Sequence, residues 1–408
     1  MNKLKSFFSA VWKWIKGALS VFHRFVPKFF YIFPALAVIC AILHLVCNYS
    51  VPFADLMIEK VCASVRFILA KATGWVPFSV GELTLLLLPL IVAILIGITV
   101  KILRSFETKP KNTADAADVD VKVVVHTVFD SKLYCRTIAF LLALLSLLYS
   151  LFVLTLAPGY KASTLDQKMG LERVPVSAEE LLSTAEILRD KAHAELDAVS
   201  FRFADFSVMP YSYDEMNAKL NDAFAKTAKK YDFLTHFRSN IKYVMLSEPM
   251  SYTHITGVYS YYTGEANLNI NFPDYSLPYT AAHEFAHQRG IARENEANFV
   301  AFLVCIESDD PYIRYSGYVN LLEYVMNSLY SASPAMYNEF YGTLDRRIVY
   351  EFYASSRFFD QYRENVAADV SDAVNNNYLQ MQGQTAGTQS CGLVVDLAVA
   401  YYKTHPEQ

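Results

Sequence analysis

Cysteine and histidine are both scarce in this sequence, and their spacing limits the kinds of metal site that the chain could build. Six cysteines are scattered through 408 residues without a CxxC pair or a Cys/His cluster. This spacing is typical of isolated buried thiols and argues against a disulfide framework or a cysteine zinc site. Only nine histidines are present.

A strong positive charge is also lacking. The formal net charge is -4, and no basic domain stands out beyond the N-terminus, so we expect no nucleic-acid partner. Hydrophobic residues, in contrast, make up 53% of the chain. This fraction is above the usual range of globular domains and indicates membrane segments.

Three apolar runs are long enough, or nearly so, to cross a hydrocarbon core of about 30 Å as helices. They cover about 29–47, 83–100 and 137–156. Residues 1–28 carry basic residues, interleaved with aromatic and aliphatic ones, and no acid. They predict a basic amphipathic helix on the lipid bilayer, or simply a flank that orients the first span. No cleavage site typical of a signal peptide follows.

Lysine and arginine counts in the loops predict the orientation. The N-terminal flank has six, segment 101–136 has seven and loop 49–80 has three. The N-terminus is therefore expected in the cytoplasm and everything after Pro158 outside it, with residues 112–121 as a flexible part of the inner loop. The expected domains are a basic N-terminal segment (1–28), a membrane domain of three helices (29–158) and an extracytoplasmic domain (159–408).

The extracytoplasmic part has no apolar stretch long enough to span, and its patterns predict a mostly helical α+β domain with a small sheet. The Ser177/Glu180 and Ser212/Glu215 capping boxes open helices to about Val199 and Tyr231. Strands are expected at 241–246, 258–262 and 267–272, and further helices at about 277–289, 294–305, 312–330, 334–353, 355–381 and 393–403.

The strand 267–272 alternates polar and apolar residues, as a half-exposed strand does. An edge strand just before a metal-binding helix could hold an extended substrate by backbone pairing. It could equally be an ordinary sheet edge.

The motif HExxH occurs at His283-Glu284-Phe285-Ala286-His287. On a helix, two histidines four residues apart lie on one face and can bind one zinc ion. Glu284 lies close to that face, where it could act as the general base on a zinc-activated water. The helix is too short and too polar at its end for an intramembrane protease of this motif.

A third metal ligand is needed. Gly290 can end the helix and turn the chain back, but the position six residues past His287 is Arg293, which cannot bind zinc, so the chain is not a metzincin. Glu294 or Glu296 is the alternative. Glu294 is preferred because Asn298, four residues on, would share its face and support the ligands by a hydrogen bond.

Two resemblances accompany these residues. The run Glu294-Asn295-Glu296-Ala297-Asn298 resembles the element that supplies the third ligand in gluzincin-type peptidases. The longer stretch from Thr263-Gly264-Glu265-Ala266-Asn267 through the HExxH motif to Phe299 resembles a family of uncharacterised bacterial multi-pass membrane proteins with a zincin-like soluble part. The resemblance covers most of the chain and implies a membrane-anchored zinc metallopeptidase, without an established substrate.

The expected function is hydrolysis of a peptide or protein substrate with Zn²⁺ as cofactor. The tetrahedral intermediate needs a hydrogen-bond donor for its oxyanion, and the candidates are Tyr378, His254 and Tyr262. The alternative is a non-catalytic membrane sensor or binding protein with a structural or vestigial zinc site. Glu284 favours the enzyme, because a structural site has no need of that carboxylate.

Overall fold

The computed structural model describes residues 12–13, 16–17, 19–107, 121–202, 206–363, 365–385, 387 and 393–405. The predicted surface helix 1–28 thus falls partly outside the described residues, as do Cys391 and nearly all of the predicted flexible loop 112–121. Contacts divide the chain into two compact units. The first contains Met1–Leu43 and Leu83–Leu151, and the second contains His44–Glu82 and Phe152–Gln408.

Helices dominate the structure. Numbered here in chain order, they are α1 Ile32–Tyr49, α2 Val51–Leu56, α3 Cys62–Gly74, α4 Val80–Glu107, α5 Val121–Thr155, α6 Leu165–Met169, α7 Ala178–Glu195, α8 Tyr213–Lys230, α9 Ser247–Ser251, α10 Ser276–Gln288, α11 Glu294–Ile306, α12 Pro311–Ala332, α13 Pro334–Tyr341, α14 Arg346–Asp360, α15 Val366–Met381 and α16 Val394–Thr404. The strands are β1 Ser200–Phe201, β2 Ser207–Val208, β3 Lys242–Tyr243, β4 Gly257–Ser260 and β5 Glu265–Leu268.

Three helical stretches are long and apolar enough to cross a membrane. They are Lys28–Tyr49, Val80–Lys101 and Lys132–Thr155, with mean hydropathies of 2.4, 2.9 and 2.5. Each coincides with one of the three apolar runs, so the predicted spans are confirmed as helices of sufficient length and composition. The helix α5 begins at Val121, well before the apolar part that could span.

The second unit has a core of packed helices. The long helix α12 packs along α7 and also contacts α10 and α11. Their apolar faces are fully buried; Phe285, Phe299, Phe302 and Tyr315 are among the largest buried side chains. Because α10 and α11 are held by this core on several sides, residues at the junction between them have little freedom to move.

A three-stranded sheet lies against α10. Its order is β3-β5-β4, with β5 parallel to β3 and antiparallel to β4. A hairpin is thus present where the sequence predicts one, but its second strand begins at Glu265 instead of Asn267. The prediction of a half-exposed edge strand is wrong, because β5 is the central strand and is buried throughout.

The polar residues of that stretch explain the error. Asn267 donates to the carbonyls of Val258 and Glu265, and Asn269 donates to the carbonyl of Ile255. The alternating asparagines therefore hydrogen-bond to neighbouring backbone inside the protein, and they do not mark a solvent face. The strand at the edge of this sheet, on the hairpin side, is β4.

Helix starts agree well with the capping signals. Ser177 and Glu180 form the predicted capping box, and the Ser212 side chain accepts from the backbone of Glu215. The predicted helices 334–353 and 355–381 are wrong in extent. The structure has α13, α14 and α15 there instead, because Asp345 and Asn365 each cap a new helix start.

The segment between the first two apolar helices packs into the second unit. Arg66 is 1% exposed and donates to the carbonyl oxygens of Thr155 (2.7 Å), Ile58 (3.0 Å) and Arg289 (3.3 Å). At the end of this segment, the backbone amides of Val80 and Gly81, at the start of α4, donate to the carboxylate of Glu265. Residues 44–82, which the sequence analysis assigned to the membrane domain, therefore form part of the unit that holds the HExxH motif.

Candidate metal centre

The helix α10 carries both histidines of the motif on one face. It runs from Ser276 to Gln288, within a residue of the predicted bounds, and nearly every residue in it is buried. The Nε2 atoms of His283 and His287 lie 3.0 Å apart. Residues four apart on a helix are neighbours, which is why the spacing of the motif brings these two nitrogens together.

A tight turn then brings Glu294 back to the histidines. Gly290 ends the helix with φ +102°, a left-handed conformation that glycine adopts without steric cost. Arg293 is extended and precedes α11, whose first residue is Glu294. Oε2 of Glu294 lies 3.3 Å from Nε2 of His283 and 3.5 Å from Nε2 of His287.

The three converging atoms fit a zinc ion. Tetrahedral zinc with bonds of about 2.0–2.2 Å holds its donor atoms about 3.2–3.6 Å apart, and the observed separations of 3.0, 3.3 and 3.5 Å are close to that range. Two imidazoles and one carboxylate form a donor set found in catalytic zinc sites, which keep the fourth position open. His283, His287 and Glu294 could therefore hold zinc.

A backbone carbonyl group fixes the orientation of the His287 ring. Its Nδ1 lies 2.7 Å from the carbonyl oxygen of Ile291, which can only accept, so Nδ1 carries a proton and Nε2 is the atom directed towards His283 and Glu294. This is the support that metal-binding histidines usually have.

Charges in the cluster attract one another. Burial favours neutral His287, but the carboxylates of Glu294 and Glu284 outweigh it and raise the pKa of His287 to about 9. Burial likewise works against charged Glu294, yet the two histidines hold the pKa of its carboxyl well below the usual range. A metal ion bound here would take the place of the proton on Nε2 of His287, beside the negative carboxylate of Glu294.

The other candidate ligand, Glu296, points elsewhere. Its Oε1 accepts from the backbone amide of Leu165 and from Arg293, each at 3.0 Å. The structure thus brings Glu294, and not Glu296, to the histidines. Residues two apart on a helix face nearly opposite sides, which explains the difference.

Glu284 is buried beside the cluster. Its Oε2 has no hydrogen-bond partner among the described residues. Burial raises the pKa of Glu284 to about 7, while the neighbouring histidines act in the opposite direction. A carboxylate with one free oxygen and a pKa near neutrality is suited to accepting and returning a proton.

A cavity of about 620 Å³ opens onto these residues. Its walls come from α10, α11, α12, α14, α15 and the loop that leads into β4. His283, Glu284 and Glu294 all line it. A site of this size can take several residues of an extended peptide or one compact ligand.

The remaining predicted residues lie at different distances from the cluster. Asn298 lines the same cavity, one turn beyond Glu294. Tyr378 has its hydroxyl 3.1 Å from that of Tyr160, and burial, with a contribution from the charge of Glu294, raises the pKa of Tyr378 to about 12. The effect of Glu294 indicates that Tyr378 is near the cluster.

The other two oxyanion candidates are engaged with backbone. His254 lines the cavity, but its Nε2 lies 2.7 Å from the carbonyl oxygen of Tyr362. The hydroxyl of Tyr262 donates to the carbonyl oxygen of Gly81 at 3.4 Å.

Several residues around the cluster have no signal in the sequence. Tyr160 is paired with Tyr378, and Ile291 supports His287, but both act through contacts that only folding creates. Gly257 is a stronger case, because a Cβ atom there would lie 2.6 Å from Oε1 of Glu284. In the sequence, Gly257 only precedes a predicted strand (258–262). That position does not indicate a contact with Glu284.

A family model matches most of the chain. The model of a family described as "Protein of unknown function (DUF3810)" matches residues 58–399, a range that includes Arg66 and the whole metal cluster. No curated protein and no solved structure matches the chain.

Proposed function

The chain belongs to DUF3810, a family of proteins of unknown function, and we propose that it is a zinc-dependent metallopeptidase anchored in a membrane. The convergence of His283, His287 and Glu294, with the free oxygen of Glu284 beside them, carries the proposal. This combination provides both a metal site with an open position and a general base, in a cavity wide enough for a peptide.

Each residue of the site has a defined role in the proposed hydrolysis. Zinc held by the three donors would supply a Lewis acid for the scissile carbonyl and for water activation. Glu284 takes the proton of the attacking water on its free Oε2 and returns it to the leaving amine. Tyr378 is the preferred oxyanion donor, because His254 and Tyr262 are engaged with backbone carbonyls.

The proposed topology has three spans, with the N-terminus in the cytoplasm and the catalytic domain outside. Residues 50–79 and 156–405 lie outside the three spans and belong to one compact unit, so the proposal places both on the same side of the membrane. Two crossings, by α4 and α5, would satisfy this requirement. The choice of side depends on the basic residues of the N-terminal flank and of loop 101–136.

Zinc content tests the metal site. We expect about one zinc per chain in the full-length protein purified in detergent, and its loss in Glu294→Gln, since a neutral amide is a much weaker ligand. The matched control is Glu296→Gln, which changes the same residue type two positions away and should keep its zinc, because Glu296 bonds to Leu165 and Arg293. Elemental analysis of the three proteins measures the outcome.

The result can also contradict the proposal. A folded wild-type chain without zinc would reject the metallopeptidase, and loss of zinc only in Glu296→Gln would reassign the third ligand. Zinc at one per chain without cleavage of any peptide in a diverse library would favour a sensor or binding protein over an enzyme.

Gly257 provides a separate prediction. In Gly257→Ala, the new Cβ would lie 2.6 Å from Oε1 of Glu284, so the carboxylate must move while the zinc ligands stay. Because a displacement of about 1 Å can cost about 100-fold in rate, we expect hydrolysis to fall about 10- to 100-fold with zinc retained.

The matched control is Gly342→Ala, where the nearest atom would be 3.4 Å away. Steady-state rates of hydrolysis and the zinc content of both variants test this prediction. Equal activity in the two variants would show that the position of Glu284 does not limit the reaction.

A further inference from the structure

An acidic residue outside the metal cluster, Glu323, also lines this cavity. Glu323 lies on α12, and together with Asn320, Tyr324 and Asn327 it lines the cavity that contains His283 and Glu284. It is not part of the metal cluster and has no role in the proposed proton transfer.

The Glu323 carboxylate is unpaired in the part of the chain that the structure describes. No hydrogen bond or ion pair joins its carboxylate to any other residue in the described part of the chain. Arg363, the one arginine among the described residues that line this cavity, is paired with Asp360 at 2.8 Å. Asp372, which also lines the cavity, adds a second negative charge.

The Glu323 side chain is open to the cavity. The residue is exposed, yet the density of protein around it raises the pKa of its carboxyl, and no neighbouring cation lowers it. A carboxylate on a cavity wall attracts a positive charge that enters the cavity, because no cation beside it neutralises its charge and the surrounding protein screens it less than bulk water does.

We propose that Glu323 binds a cationic group of the substrate: the amine or guanidinium of a basic side chain, or a free N-terminal amine. Its place in the cavity and its missing partner carry the assignment. As a statement about a peptidase subsite, this inference rests on the proposed function. As a statement about binding, it can be tested without catalysis.

The two sources of the cation place different demands on the substrate. A free N-terminal amine would make the enzyme act near chain ends, whereas a lysine or arginine side chain would select internal sites. Four peptides of one sequence separate them: lysine or acetyl-lysine at one position, each with a free or an acetylated N-terminus.

The test measures binding of these peptides to the full-length Glu284→Gln protein in detergent by titration calorimetry. We expect one cationic group, at the side chain or at the terminus, to strengthen binding at least about tenfold over its acetylated counterpart, as a charge-assisted hydrogen bond does. Adding Glu323→Gln should reduce that ratio to about one. Adding Glu339→Gln, which removes an exposed acid outside the cavity, should leave it unchanged.

Each outcome has a defined meaning. Equal affinity for cationic and acetylated peptides, or a preference that survives Glu323→Gln, would overturn the inference, as would the absence of binding by all four peptides. Zinc and hydrolysis without a cation preference would reject the subsite and keep the proposed peptidase. A preference that depends on Glu323 in a protein without zinc would do the reverse.

Thermal unfolding shows whether the Glu323 variant loses the cation preference only because it is misfolded. Glu323→Gln should melt no lower than its parent, because the Glu323 side chain is exposed and makes no hydrogen bond or ion pair among the described residues. Glu323→Asp should keep part of the cation preference, since the charge remains on a shorter side chain.

Discussion

Replacing Glu284 by glutamine is expected to lower peptide hydrolysis about 10²- to 10⁴-fold, the usual contribution of a general acid–base group. The amide matches the carboxylate in shape but cannot take a proton from water. Zinc content should stay at the wild-type level, because Glu284 is not one of the three converging donors.

The measurement is kcat/KM for the best library peptide, alongside zinc per chain. Glu339→Gln is a suitable control, since it makes the same substitution at an exposed helical position. A Glu284→Gln protein with wild-type activity would exclude Glu284 as the base. Loss of zinc together with activity would show instead that Glu284 is needed to build the site.

Replacing Arg66 by methionine is expected to destabilise the protein by about 3–5 kcal/mol. Three carbonyl oxygens, those of Thr155, Ile58 and Arg289, would lose a charged donor in the interior, and each unpaired buried group costs about 1–3 kcal/mol. Methionine replaces much of the side-chain volume, so the loss of hydrogen bonds is the main effect.

The same substitution should weaken zinc binding. Arg66 holds the carbonyl of Arg289, and the next residue, Gly290, packs so closely that a Cβ there would collide with the Arg66 guanidinium. This turn presents the carbonyl of Ile291 to Nδ1 of His287. Arg66 is thus a positioning residue, which acts on the histidine through the turn.

Denaturant unfolding in detergent and zinc competition with a chelator measure the two effects. Arg238→Met is the control, because Arg238 is exposed and pairs only with exposed Asp222 among the described residues. Arg66→Lys should be intermediate in both assays, since an ammonium cannot reach three carbonyls with the geometry of a guanidinium. Wild-type stability in Arg66→Met would contradict this account.

Local patterns were sufficient to predict much of the site. The spacing of His283 and His287 requires only helical geometry, and the same geometry separates Glu294 from Glu296. Serine and glutamate signals located the starts of α7 and α8 because capping depends on neighbours in sequence. Apolar runs located the three long helices for a similar reason, since length and composition alone decide them.

Contacts between distant residues could not be predicted in this way. Alternation in 267–272 suggested a solvent face, whereas Asn267 and Asn269 bond to neighbouring backbone in a buried strand. The partners of Arg66 lie up to 223 residues away along the chain. No pattern within a short window reports on such pairs, and the same is true of Gly257 beside Glu284.

The position of residues 44–82 also determines when the molecule can be completed. During synthesis Arg66 is made long before Arg289, and both apolar helices that intervene must be produced first. If these helices cross the bilayer, residues 44–82 reach the far side before the part of the chain that contains Arg289 has been translocated. We therefore expect the metal site to form only after membrane insertion has finished. The newly made chain would then be inactive until it is fully inserted.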